Sequence, residues 1–173
     1  MPYASVAALA AVALSAASPA TLGQHGIGTV RFGETEHAAV AGLTALFGRP
    51  TRRLPNSGCG ARFREVEWGD LYAEFRDGRF TGFRYLATRW PVNQAPGPPS
   101  PAASVRPLLR TATGISLGDT LGRLRAAYGS LRVIGTDRWE SPDGLVFYDN
   151  AKHDPVPPSS RVIEIKIGTC GDF

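Results

Sequence analysis

One phrase is written twice in this chain. The stretch "GTVRFGETEHAAVAGLTALFG", Gly28 to Gly48, runs as apolar strand, Gly, acid, Thr, helical pattern, aromatic and closing Gly; "GISLGDTLGRLRAAYG", Gly114 to Gly129, repeats that order. In both, the acid and Thr stand where the orphan N–H groups of a helix's first turn want oxygen acceptors. The closing Gly suits a left-handed C-cap. Val40, Leu43, Leu46 and Phe47 mark the apolar stripe of the first run, and Leu121, Leu124 and Tyr128 that of the second. A duplicated unit of this size buries a sheet face poorly alone and well when stacked on its copy.

Hairpin grammar follows each predicted helix. "FREVEWGDLYAEFRDGRFTGFRYL", residues 63–86, reads as three short strands punctuated by Gly69-Asp70 and by Asp77-Gly78, a strong two-residue turn. "DRWESPDGLVFYDN", residues 137–150, reads as strand, Ser-Pro-Asp-Gly turn and strand, and "RVIEIKIG" adds a last strand. The expected class is therefore α+β, two tandem helix-plus-antiparallel-hairpin repeats sharing one sheet. The expected boundaries are a first repeat at 21–86, a Pro-rich linker at 87–112 holding six prolines, and a second repeat at 113–173.

Residues 1–20, "MPYASVAALAAVALSAASPA", carry no charge, are rich in Ala, and end in Ser18-Pro19-Ala20. They read as a signal peptide, which places the mature chain outside the cell or in its envelope. Cys59 and Cys170 are then an even pair in an oxidising compartment and are expected to form a disulfide. The loop so closed exceeds a hundred residues, which the chain-entropy argument values at roughly 4–5 kcal/mol.

The tandem plan of G-[ED]-T, amphipathic helix, Gly and Trp-bearing antiparallel sheet (Trp68 and Trp139) resembles the β-lactamase-inhibitory-protein fold. It is similar in plan to the small lipoproteins of the outer-membrane barrel-assembly machinery. The resemblance covers residues 26–173 and implies a protein-binding surface on a curved sheet, without enzymatic activity. Those inhibitors carry a disulfide in each repeat and those lipoproteins a lipidated Cys, features this chain lacks. Neither β-lactamase inhibition nor any binding residue is therefore carried over.

Alternation along the hairpin sorts the sheet without reference to any family. Counting back from Asp77-Gly78 puts Leu71, Ala73, Phe75 and Phe80 on the face that beds the helix, with Val66 and Trp68 beside them. The opposite face then receives Tyr72, Phe83, Tyr85, Trp139 and Tyr148, edged by Glu65, Glu67 and Glu74. A one-residue bulge at Gly82 would reverse part of that assignment. Aromatics in a polar rim have the composition of protein-binding hot spots, so Tyr72, Phe83, Tyr85, Trp139, Tyr148, Glu67 and Glu74 are the candidate binding residues.

Catalytic and metal patterns are missing from the sequence. His25, His37 and His153 share no metal-ligand spacing, and there is no nucleophile elbow, P-loop or zinc-protease helix. Glu65, Glu67 and Glu74 read as solvated strand-face acids, so no catalytic residue, metal or cofactor is expected. Of 19 basic residues only Lys152 and Lys166 are lysines. Arg49, Arg52 and Arg53, just after the first helix, form the one basic cluster dense enough for a cell-wall or lipid polyanion. Export argues against nucleic acid. The leading expectation is a secreted, monomeric, non-catalytic module that binds a protein of the envelope or extracellular space through the aromatic face. It makes no membrane contact once its leader is removed. The alternative is an envelope-associated polyanion binder acting through the arginines.

Overall fold

The computed structural model describes residues 20–55, 62–87, 109–150 and 156–168. Residues 1–19 of the expected signal peptide, both cysteines with their expected disulfide, and most of the Pro-rich linker lie outside those residues. In chain order the elements are β1 (Thr21–Gly23), β2 (Gly26–Ile27), β3 (Val30–Arg31), α1 (Glu36–Phe47), β4 (Arg52–Pro55), β5 (Phe63–Trp68), β6 (Leu71–Arg76) and β7 (Arg79–Leu86). Then come β8 (Arg110–Thr111), α2 (Leu121–Tyr128), β9 (Arg132–Gly135), β10 (Arg138–Glu140), β11 (Val146–Asp149) and β12 (Val162–Ile167).

The doubled phrase forms a doubled joint. Gly33 and Gly118 take φ of 87° and 84°, a region that favours glycine. Their N–H groups donate to the carbonyls of Phe80 and Val162, both at 2.8 Å. The following acids reach back three residues: Glu34 accepts from the Arg31 amide at 2.7 Å and Asp119 from the Ser116 amide at 2.8 Å. Thr35 and Thr120 cap α1 and α2, accepting from the Ala38 and Arg123 amides. Arg79 and Arg161 close the joint by donating to the Gly33 and Gly118 carbonyls, at 2.8 and 2.7 Å.

The expected α+β class of two helix-plus-hairpin repeats sharing one sheet is corrected. Among the described residues the fold is mostly β, with two sheets of four and eight strands; 17% of those residues are helical and 45% lie in strands. The glycine-rich segment before α1 makes a small sheet of its own, ordered β3-β2-β1-β8, which draws three strands from one half of the chain and one from the other. Strands of two or three residues leave no alternation to read, so this sheet was invisible in the sequence.

The large sheet is antiparallel throughout, ordered β4-β5-β6-β7-β12-β11-β10-β9. Both helices pack on one of its faces. Ala39, Val40 and Leu43 of α1 and Leu121 and Leu124 of α2 join Val66, Trp68, Leu71, Ala73, Phe75, Phe80, Phe147 and Ile165 in one hydrophobic core. Leu22, Ile27 and Val30 extend that core into the small sheet.

Where β7 meets β6 the register slips by one: Glu74 faces Gly82, but Phe75 faces Phe80, leaving Thr81 as an extra residue. The bulge brings β7 very close to the end of β12. A Cβ built on Gly82 would sit 2.4 Å from the Ile167 carbonyl oxygen, and one on Gly168 2.3 Å from that of Thr81. Gly82→Ala is therefore expected to lower the free energy of unfolding by about 1–3 kcal/mol, read as a lowered urea midpoint. Gly23→Ala, which would meet nothing within 4 Å, serves as the control and leaves the free energy of unfolding within about 1 kcal/mol of wild type.

Candidate functional site

Directly opposed residues of an antiparallel sheet share a face, so the register alone maps the side away from the helices. One row crosses all eight strands: Arg52, Glu67, Tyr72, Arg84, Lys166, Val146, Glu140 and Arg132. Beside it run Leu54, Glu65, Glu74 and Gly82 on one flank, and Leu86, Glu164, Tyr148 and Arg138 on the other. The face is a grid of charges with two tyrosines set into it.

Three of the charged residues are almost sealed from solvent: Glu65 is 6% exposed, Glu74 1% and Lys166 7%. Ion pairs and stacked rings hold them. Arg84 Nη2 donates to Glu65 Oε1 at 2.8 Å, its Nε lies 3.4 Å from Glu74 Oε1, and its guanidinium sits 5.0 Å over the Tyr72 ring. Lys166 Nζ sits 4.7 Å over Tyr148, with Arg138 on the same ring at 6.0 Å. Cation and ring shield each other, and the aliphatic stems cover what lies beneath.

Glu74 is the strained member. Its Oε2 is buried and has no hydrogen-bond partner. Burial pushes its carboxyl up to about 8, with Glu65 adding to the rise and Arg84 and Lys166 opposing it. Burial, and then the neighbouring Glu67, also raise the Tyr72 hydroxyl. A raised carboxyl beside a second one is the signature of acid–base catalysis in an open cleft. Here the Glu74 side chain is only 2% exposed, and desolvation is the largest cause of the rise.

Tyr72, Tyr148, Glu67 and Glu74 lie on this grid. Phe83, Tyr85 and Trp139 do not, and their placement is corrected. The Thr81 bulge turns β7 over, so Phe83 faces Ala73 and Tyr85 faces Leu71, and both are buried under the helices. Trp139 faces Phe147 on the same inner side. Its Nε1 donates to Asp149 at 2.7 Å, and Arg125 of α2 lies 4.7 Å over its ring. Glu65 and Glu74, read as solvated, are buried. The same bulge brings Arg84 onto this face opposite Tyr72; Gly82 inside a strand was the available signal.

The three arginines do not converge. Arg52 faces Glu67 on the grid, whereas Arg53, its neighbour along the strand, faces the helix side. There it lines an open recess of about 440 Å³ with Glu36, His37, Val40 and Ala41. Arg49 is exposed in the turn after α1. His153, Cys59 and Cys170 lie outside the described residues. Among the described residues no group of three His, Cys, Asp or Glu side chains could hold a metal ion, and no helix is long and apolar enough to cross a membrane.

The folded chain keeps the Glu74 proton to about pH 8, whereas an unfolded chain releases it near the ordinary value of about 4.3. Between those values the unfolded state binds fewer protons, so stability falls as pH rises through this window and levels off above it. Glu74→Gln has no proton to lose. Free energies of unfolding from urea titrations at pH 5 to pH 9 are expected to shift in favour of the Gln variant, by an amount on the order of 3–5 kcal/mol. A constant offset between the two proteins would show that Glu74 is ionised in the fold.

No family model matches the sequence, and no curated protein or solved structure matches it.

Proposed function

We propose that this chain is a non-catalytic protein-binding module of the extracellular or envelope space, and that its contact surface is the helix-free face of the large sheet. One observation carries the reading: the face is assembled before any partner arrives. Tyr72 lies under Arg84, Tyr148 lies under Lys166 and Arg138, and Arg84 is anchored on Glu65. Side chains already held in one conformation lose little entropy on binding. A fixed pattern of charge favours one partner over others and speeds encounter.

The dimensions suit a macromolecule. Eight strands at a spacing of about 4.8 Å span roughly 34 Å, and strands of typical length give roughly 17–20 Å in the other direction. The product, on the order of 600 Å², approaches the ~800 Å² per partner of standard interfaces. The sequence adds two independent supports, the apolar leader that points to export and the resemblance to folds that bind proteins on a sheet.

Capture tests the reading. Immobilised wild-type protein is exposed to the envelope and secreted proteins of its source, beside Tyr72→Ala/Tyr148→Ala and, as a control for the helix-side recess, His37→Ala/Arg53→Ala. A partner is expected to bind wild type and the recess control alike and to lose at least about tenfold in affinity on the double-tyrosine variant. Equal retention by all three, or loss on the recess variant alone, would move the contact surface elsewhere.

A further inference from the structure

Glu65 and Glu74 stand directly opposite each other on β5 and β6. Like charges in that relation repel, and a single guanidinium lies between them. Arg84 serves the two unequally, with a 2.8 Å hydrogen bond to Glu65 and only a 3.4 Å ion-pair contact to Glu74. The second oxygen of Glu74 is buried without a partner. The Arg84 side chain is 32% exposed, so it has room to turn. We propose that Glu65, Glu74 and Arg84 form a proton-operated switch set into the face, in which the proton on Glu74 decides which carboxylate holds the guanidinium.

The surroundings define the two positions. Facing Glu74 are Glu65 from β5, Arg84 from β7, and Lys166 and Glu164 from β12. Tyr72 precedes it by two on its own strand, with Glu67 opposite that tyrosine, and the Thr81 hydroxyl donates to the Glu74 backbone carbonyl. Burial, and then Glu67, hold the Tyr72 hydroxyl above its ordinary 10.0. With Glu74 neutral, Arg84 stays on Glu65 and over the Tyr72 ring. Once Glu74 ionises, a buried charge with an empty acceptor draws the partly exposed guanidinium inward, because an unpaired carboxylate at 1% exposure costs more than a lengthened contact to Glu65, which keeps 6%. Glu65 loses its hydrogen bond and Tyr72 its cation. Both changes occur at the centre of the grid, so the face offers different chemistry on the two sides of the transition. That consequence for binding rests on the reading of this face as the contact surface. The switch itself is a property of the free protein.

Nuclear magnetic resonance on the free, full chain tests it, following the Arg84 Nε–H resonance and the Glu74 side-chain carboxyl carbon from pH 6 to pH 10. Both are expected to move together in one transition with a midpoint near 8. In Glu74→Gln the Arg84 resonance is expected to hold its low-pH position across the range. In Glu65→Gln the guanidinium has one carboxylate left, and the midpoint is expected to fall. An Arg84 resonance that ignores the Glu74 titration overturns the switch, as does one that moves equally in Glu74→Gln. Should Glu74→Gln fail to fold, an unmoved midpoint in Glu65→Gln overturns it as well. None of these outcomes depends on finding a partner, so a failed switch and a failed contact surface are separate results.

Discussion

Four residue pairs hold the large sheet together across its middle: Phe83 with Ile167, Arg84 with Lys166, Tyr85 with Ile165, and Leu86 with Glu164. They join β7 to β12 and thereby the strands before the Pro-rich linker to those after it. Without them the eight strands would be two sets of four, each too narrow to bed its helix and each with an additional bare edge. Alternation makes the same four pairs serve both sides. Phe83, Tyr85 and Ile165 fall under the helices as part of the continuous core, and Arg84, Lys166 and Glu164 fall on the grid. The seam closes this tightly because Gly82 and Gly168 let two backbones approach where a side chain would not fit.

The seam also explains the electrostatic arrangement of the grid. Arg84 opposite Lys166, and Glu65 opposite Glu74, are like-charge pairs in direct register, an arrangement that destabilises a sheet when left alone. Placed side by side, they become a checkerboard in which each unfavourable pair is answered diagonally by the other. Tyr72 and Tyr148 supply the remainder, placing ring faces under the two cations. The compensation is incomplete at one atom, Glu74 Oε2, which is buried without a partner, and burial pushes that carboxyl up to about 8. Burial dominates this balance, because water that would have solvated the carboxylate is excluded.

What was legible in the sequence follows from the range of the interactions involved. The helix caps at Thr35 and Thr120, the C-terminal glycines and the Asp77-Gly78 turn are local, and residue chemistry within four positions decides them. The small sheet was not legible, because its strands hold two or three residues and β8 pairs in parallel with β1 across a long stretch of chain. The candidate face was half legible. Tyr72, Tyr148 and the glutamates follow from counting in twos, whereas the single extra residue at Thr81 inverts every side chain beyond it and sends Phe83 and Tyr85 inward. Trp139 failed for a different reason: its place is decided by Asp149 and by Arg125 on α2, partners that alternation does not see.

Among the described residues no strand pairs with the outer side of β4 or β9, so the large sheet ends in two open backbone ladders there. Such ladders recruit strands from other molecules unless something makes the encounter unfavourable. On β4 that role falls to exposed Arg52 and Arg53 and to Pro55, which has no N–H to offer a newcomer. On β9 it falls to exposed Arg132 and to the register slip at Arg138 and Trp139, which bends the neighbouring strand away from a flat edge. Any edge-to-edge stacking of copies, β4 on β4, β9 on β9 or one on the other, brings arginine-bearing strands together. The arginines that dominate the basic residues of this chain thus protect it against fibre-like self-association, even with Val133 standing exposed on one of its rims.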